Sequence, residues 1–167
     1  MLWLIGMMGS GKSTVGKLVA ETLGVPFVDL DVRIAEAAGS SISVLFAAEG
    51  EAGFRTREAG ALARVADGPA AVVATGGGVV LDPGNVARMR ARGVVAWLEA
   101  KASTLASRVE NETGRPLLED ELPEPRLAEI LEARRGAYSG AAHARIVTDE
   151  RTPKDIAEEV GRLWPAS

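Results

Sequence analysis

A chain of 167 residues, 47% hydrophobic with a mean hydropathy of +0.09, suits one domain with a buried core rather than a disordered segment. It has no cysteine and one histidine, His143, which excludes disulfides, thiolate metal sites, a cysteine nucleophile and a histidine-rich metal centre. The net charge of −4 argues against a nucleic-acid or membrane partner, so an anionic ligand must be met by positive charges placed locally.

Aromatics make up only 4% of the chain, which predicts a core of closely packed small aliphatic residues rather than large rings. Residues 1–5 are apolar but too few for a signal peptide or a membrane span. The expectation is a soluble, cytoplasmic monomer that begins directly in its first strand. Short apolar runs at 2–5, 27–29, 71–74, 94–98 and 145–147 read as buried strands. Between them, 12–23, 32–38, 52–65, 83–92, 103–110 and 126–138 carry a helical period. Such alternation predicts an α/β fold in three αβα layers, with a parallel sheet covered on both faces. Asp82-Pro83 and Thr152-Pro153 each set a capping side chain before a proline suited to the first helical position. Asp155, three residues after Thr152, completes the pattern of a capping box. His143 reads as an ordinary surface or helix-end residue.

No repeat and no long linker interrupts the chain, so residues 1–167 read as a single domain. One stretch breaks the rhythm: 111–125 is polar, punctuated by proline and aperiodic. A structureless segment of that length in a small domain is either a lid or a plain surface connection. Arg115, followed by Pro116-Leu117-Leu118, favours the lid.

Gly6-Met7-Met8-Gly9-Ser10-Gly11-Lys12-Ser13 matches the phosphate-binding loop G-x-x-x-x-G-K-[ST] in full, between an apolar strand and a helical run. The glycines let backbone N–H groups turn inward and form an anion nest at a helix N-terminus. Lys12 supplies a point charge to the β- and γ-phosphates, and the Ser13 hydroxyl is a ligand for Mg²⁺. The base-reading segment of GTPases, Asn-Lys-x-Asp, is absent, and the chain is short for a motor or transporter ATPase. A small-molecule kinase or a nucleotide kinase remains.

Asp29 and Asp31 follow the second strand, where ligands of parallel sheets bind. At spacing two they share one side of an extended strand, one to serve the metal and one to accept a hydroxyl proton. Helix capping is the plainer role for Asp31. Arg55 and Glu58, taken alone, read as a surface i,i+3 ion pair. Gly76-Gly77-Gly78 after the third strand either exposes backbone N–H groups to a ligand or is a bare turn.

In order, these residues resemble the shikimate kinase family, and the resemblance spans nearly the whole chain. Its carriers are Gly6 to Thr14, Asp29-Leu30-Asp31, Gly39-Ser40-Ser41-Ile42 leading to Phe46, and Gly50-Glu51 with Phe54-Arg55. After them come Gly76-Gly77-Gly78, Arg115-Pro116-Leu117-Leu118, Arg134 four before Tyr138, and Arg151-Thr152-Pro153. The resemblance implies a nucleoside-monophosphate-kinase-like P-loop fold with strand order 2-3-1-4-5. It also implies transfer of the γ-phosphoryl of ATP to the 3-hydroxyl of shikimate, a step towards chorismate and the aromatic amino acids.

The same resemblance assigns roles. Gly9, Ser10, Gly11, Lys12, Ser13 and Thr14 would hold the ATP phosphates, while Arg108, Arg151 and Pro153 would flank the adenine. Asp31 would bind the substrate hydroxyls and act as or beside the base. Arg55 and Arg134 would hold the carboxylate, Gly77 and Gly78 would offer N–H groups, and Glu58 would steady Arg55. Asp29 would reach Mg²⁺ through water, and Arg115 would swing in with the lid over the transferring phosphoryl. Two positions depart from the family pattern: Gly136 stands where a proline is usual, and His143 where an acidic residue is usual. Arg135 is adjacent to Arg134, and the spacing to Tyr138 selects the latter. Another P-loop sugar-acid kinase, such as a gluconate kinase, and an ATP-binding regulatory module without turnover are the alternatives.

Overall fold

The computed structural model of the protein describes residues 1–109 and 123–164. The chain runs β1 (Leu2–Ile5), α1 (Lys12–Leu23), β2 (Phe27–Asp29), α2 (Leu30–Ala38), α3 (Ile42–Ala66) and β3 (Val72–Ala74). A 3₁₀ turn (Val79–Leu81) leads to α4 (Pro83–Arg92), β4 (Val94–Glu99) and α5 (Ala102–Val109). Then come α6 (Pro123–Ala141), β5 (Ala144–Val147) and α7 (Pro153–Gly161). The five strands form one parallel sheet in the order β2-β3-β1-β4-β5, as the resemblance implied.

Central β1 is buried on both faces, and its side chains divide by parity. Trp3 and Ile5 enter a core completed by α2, α3, α4, α5 and α6, whereas Leu2 and Leu4 pack with Val15 and Val19 of α1 and Ile156 and Val160 of α7. A strand with apolar residues on both faces has to sit inside a three-layer sandwich. The expectation about rings is corrected: aromatics are few, but Trp3, Phe54, Trp97 and Tyr138 are all buried. Large rings bury the most area per residue, so a scarce aromatic is placed in the interior first.

Asp82 accepts from Gly84 N–H at 2.7 Å and Thr152 accepts from Asp155 N–H at 3.2 Å, so both expected caps form. Several boundaries differ from expectation, and three bear on the site. Leu30 already belongs to α2, because Asp29 caps it, accepting from Asp31 N–H (3.1 Å) and Val32 N–H (3.4 Å). The helix expected from residue 52 begins at Ile42 behind a Ser41 cap, and its two arms meet at Gly50, whose φ of 68° and ψ of −177° break the helical path. Residues 123–125, expected in the lid, open α6 instead. Prolines fit a first helical turn because its N–H groups have no intrahelical acceptor. The remainder of the expected lid, including Arg115, lies outside the described residues.

His143 follows α6 and is exposed; its Nδ1 accepts from Val95 N–H at 3.0 Å while its own N–H donates to Val95 O at 2.8 Å. Partial burial, and secondly the charge of Arg90, hold its pKa below the ordinary value, which keeps Nδ1 an acceptor. It is a helix-end residue, as read from the sequence. Gly136 is exposed within α6, has no positive φ, and a Cβ there would meet nothing within 4 Å. Gly136→Ala is therefore expected to stabilise the protein by about 0.5–1 kcal/mol. Thermal unfolding should read this as a rise of about 1–4 °C; a lower midpoint would show that α6 needs glycine there.

Candidate active site

The loops beyond the carboxyl ends of β1, β2, β3 and β5 open onto one cavity of about 720 Å³. That is the position at which open parallel sheets bind ligands. Every sequence-predicted site residue among the described residues borders it.

At the β1 end, Gly6, Gly9 and Gly11 have φ of 143°, 76° and 93°, values that side-chain-bearing residues rarely adopt. Space is a second constraint, since a Cβ on Gly6 would lie 2.4 Å from Leu98 O and one on Gly9 2.8 Å from Val109 Cγ2. Gly11 enters α1 without a side-chain cap, so the first-turn N–H groups of Lys12, Ser13 and Thr14 face an anion site rather than a capping oxygen. Lys12 Nζ folds back onto the loop, donating to Gly6 O at 2.9 Å and Met7 O at 2.8 Å. Ser13 Oγ donates to Asp29 Oδ2 at 2.6 Å. A hydroxyl and a carboxylate joined at the mouth of the loop are hard oxygen donors of the kind Mg²⁺ takes. Among the described residues no group of three or more His, Cys, Asp or Glu could enclose a metal.

Asp29 and Asp31 both border the cavity, but not as two residues on one strand. Asp29 ends β2 and caps α2, and Asp31 lies in the first turn of that helix. The capping role considered for Asp31 belongs to Asp29. Asp31 faces Glu58 and the Gly76 backbone; a Cβ on Gly76 would stand 2.7 Å from Glu58 Oε1 and 3.0 Å from Asp31 Oδ1.

The surface ion pair expected of Arg55 and Glu58 is also corrected. Their guanidinium and carboxylate meet at 2.8 Å, but the Glu58 side chain is 1% exposed and Arg55 only 23%. Burial pushes the Glu58 carboxyl above its usual range, and Arg55 pulls it part of the way back. Arg55 also lies over the Phe54 ring, which stacks on Phe46. The glycine triplet explains how these groups fit. None of its three residues has a positive φ, but a Cβ on Gly78 would sit 2.1 Å from Arg55 Nη2. The triplet also turns the chain, Val79 N–H donating to Gly76 O at 3.3 Å, and the missing side chains permit the close approach.

The adjacent arginines of α6 part company. Arg134 borders the cavity and donates to Gly77 O at 3.3 Å, whereas Arg135 turns to Glu99 (3.0 Å) and Glu132 (3.0 Å). At the far end of the cavity, Arg108 donates to Thr148 Oγ1 (3.1 Å), Thr148 O (2.9 Å) and Gly9 O (3.4 Å). Arg151 bonds Val147 O and Asp155 O and pairs with Glu159 at 2.7 Å. Both guanidinium groups are held as walls. Val32, Ile42 and Phe46, which sequence reasoning gave no site role, supply apolar lining near the acidic pair. Ser41 capping a run with apolar Ile42 and Phe46 was the available signal for that helical arm.

A phosphate-binding loop opening α1, on a 2-3-1-4-5 parallel sheet and sharing one cavity with carboxylates and half-buried arginines, defines a P-loop kinase. The family model described as shikimate kinase matches residues 8–163, and the chain belongs to that family. A shikimate kinase of Symbiobacterium thermophilum is 48% identical over 159 residues, covering 94% of this chain and 91% of that one. The solved structure of shikimate kinase from Acinetobacter baumannii in complex with shikimate superposes with a TM-score of 0.93 at 38% identity, over 97% of this chain and 90% of that one. A gluconokinase from Sinorhizobium meliloti shares the fold at a TM-score of 0.61 and 21% identity, over 96% and 89% of the two chains. Among the described residues no helix is long and apolar enough to cross a membrane.

Proposed function

We propose that this chain transfers the γ-phosphoryl of ATP to the 3-hydroxyl of shikimate, giving shikimate 3-phosphate and ADP. The observation that carries the reading is the junction of a complete phosphate loop with a half-buried acceptor lobe, where Arg55, Arg134 and Asp31 line one cavity. Planar guanidinium groups suit a fixed carboxylate, and a carboxylate beside them suits a hydroxyl.

On this reading Gly9, Ser10, Gly11 and Thr14 hold the phosphates by backbone and hydroxyl groups, and Lys12 follows the charge of the β- and γ-phosphates. Asp31 accepts the proton of the attacking hydroxyl as the new O–P bond forms and the bond from the γ-phosphorus to the bridging oxygen breaks, releasing ADP. Arg55 and Arg134 hold the substrate carboxylate, Glu58 steadies Arg55, and Gly77 and Gly78 offer N–H groups. Arg108, Arg151 and Pro153 flank the adenine. Ser13 and Asp29 would hold Mg²⁺, which when bound neutralises charge on the phosphate oxygens. Arg115 is assigned to the transferring phosphoryl by resemblance alone. A single-domain, monomeric protein working in the cytoplasm belongs to the same reading.

A coupled ADP-release assay with shikimate, gluconate and AMP as acceptors tests it. Turnover is expected with shikimate and not with the other two. Preferential use of gluconate would overturn the substrate, and ATP binding without turnover of any acceptor would overturn the enzyme.

A further inference from the structure

Tyr138 borders no part of the cavity, yet it touches the acceptor lobe from behind. It is fully buried, and its hydroxyl donates a short hydrogen bond to Gly77 O, the same carbonyl that receives Arg134 Nη1 at 3.3 Å. Its ring stacks on Trp97 of β4, centroids 5.6 Å apart and planes 18° from parallel, so packing leaves the hydroxyl one direction. Burial pushes the phenol pKa up to about 12, with Arg134 pulling the other way, so the hydroxyl remains a donor at any working pH.

What it holds is a glycine turn, closed by Val79 N–H donating to Gly76 O at 3.3 Å. Three consecutive glycines offer cheap rotation of the peptide planes between them. Neither Gly77 N–H nor Gly78 N–H donates to any of the described residues. A trans peptide directs its C=O and N–H to opposite sides. Anchoring Gly77 O at Tyr138 therefore turns the Gly78 N–H away from the core, and Gly78 itself is buried at the cavity wall. A buried backbone donor without an intramolecular acceptor needs a partner.

We propose that Tyr138 is a positioning residue for the acceptor: its hydroxyl locks the Gly77–Gly78 peptide so that the Gly78 N–H is presented to the substrate, and it leaves Arg134 free to reach the carboxylate. The inference rests on the shikimate reading above. Without the hydroxyl, Gly77 O retains only the longer bond from Arg134, which draws that guanidinium back from the cavity.

Tyr138→Phe keeps the ring stacked on Trp97 and removes only the hydroxyl. The KM for shikimate is expected to rise about tenfold, in keeping with one buried acceptor losing its donor. The KM for ATP and kcat should stay within about threefold, since the hydroxyl that is removed bonds Gly77 O and neither the phosphate loop nor Asp31. A merely structural role would move both KM values together, and that result, or an unchanged KM for shikimate in folded Tyr138→Phe, overturns the proposal. Amide NMR of the wild-type protein gives a second measurement that needs no variant. Adding shikimate should shift the Gly78 N–H resonance and slow its exchange; saturation with shikimate without either change overturns the proposal. If the wild type neither binds nor phosphorylates shikimate, the substrate reading falls and this inference falls with it.

Discussion

Lys12→Ala is expected to lower turnover by at least about 10²–10³-fold while the protein stays folded, the loss typical of removing one preorganised group that meets developing charge. Lys12 Nζ now rests on the carbonyls of Gly6 and Met7. Exchanging neutral carbonyls for phosphate oxygens makes each hydrogen bond charge-assisted on both sides. The gain is largest when negative charge shifts onto the β–γ bridging oxygen, so kcat should fall more than the KM for ATP rises. The fold should tolerate the change. The side chain is half-buried at the loop and absent from both core clusters, so the unfolding midpoint should move by no more than about 3 °C. Coupled ADP release together with a thermal melt decides it. Wild-type-like turnover by folded Lys12→Ala protein would remove the phosphate site from the mechanism.

The parts of the site that could be read from sequence are those whose chemistry is local. The phosphate loop needs glycines with positive φ next to a lysine and a helix, and all of that is written within Gly6 to Ser13. The strands and two helix caps followed from apolar runs and from Asp82 and Thr152 for the same reason, whereas the strand order came from the family resemblance alone. The misreadings concern burial and side-chain direction, which depend on distant residues. Nothing in an i,i+3 spacing says that Glu58 will be covered, because the cover is partly the backbone of Gly76, far along the chain. One reason for the glycine triplet was equally hidden: besides making a turn it leaves room for Arg55, Glu58 and Asp31. Asp29 and Asp31 looked like two residues on one strand because spacing alone cannot reveal that a helix starts between them. The partition of Arg134 from Arg135 needed Glu99, a buried carboxylate at the end of β4 that pairs with both Arg135 and Arg145 and so takes the second arginine out of the site.

That arrangement bears on the choice of base. Asp31 and Glu58 are two carboxylates at the acceptor end of the cavity, but their surroundings differ. Glu58 is sealed beneath Gly76 and ion-paired with Arg55, and burial raises its pKa. Asp31 is half-buried and borders the open cavity from the first turn of α2. A carboxylate sealed beneath backbone cannot reach a bound hydroxyl, whereas one at the cavity surface can. Asp31→Asn is therefore expected to lower kcat by about 10²–10⁴-fold, the usual worth of a positioned general base. The KM for shikimate should change far less, because the amide keeps the size and one hydrogen bond to the substrate. Substitution should leave the helix start intact, since α2 is capped by Asp29 and uses only the backbone N–H of Asp31. Steady-state kinetics with shikimate varied at saturating ATP separates the two parameters. Retention of more than about a tenth of the wild-type kcat would remove Asp31 as the base and leave it a positioning role. A large rise in KM with kcat preserved would show that the aspartate binds the acceptor equally in ground and transition states, contributing affinity but no acceleration.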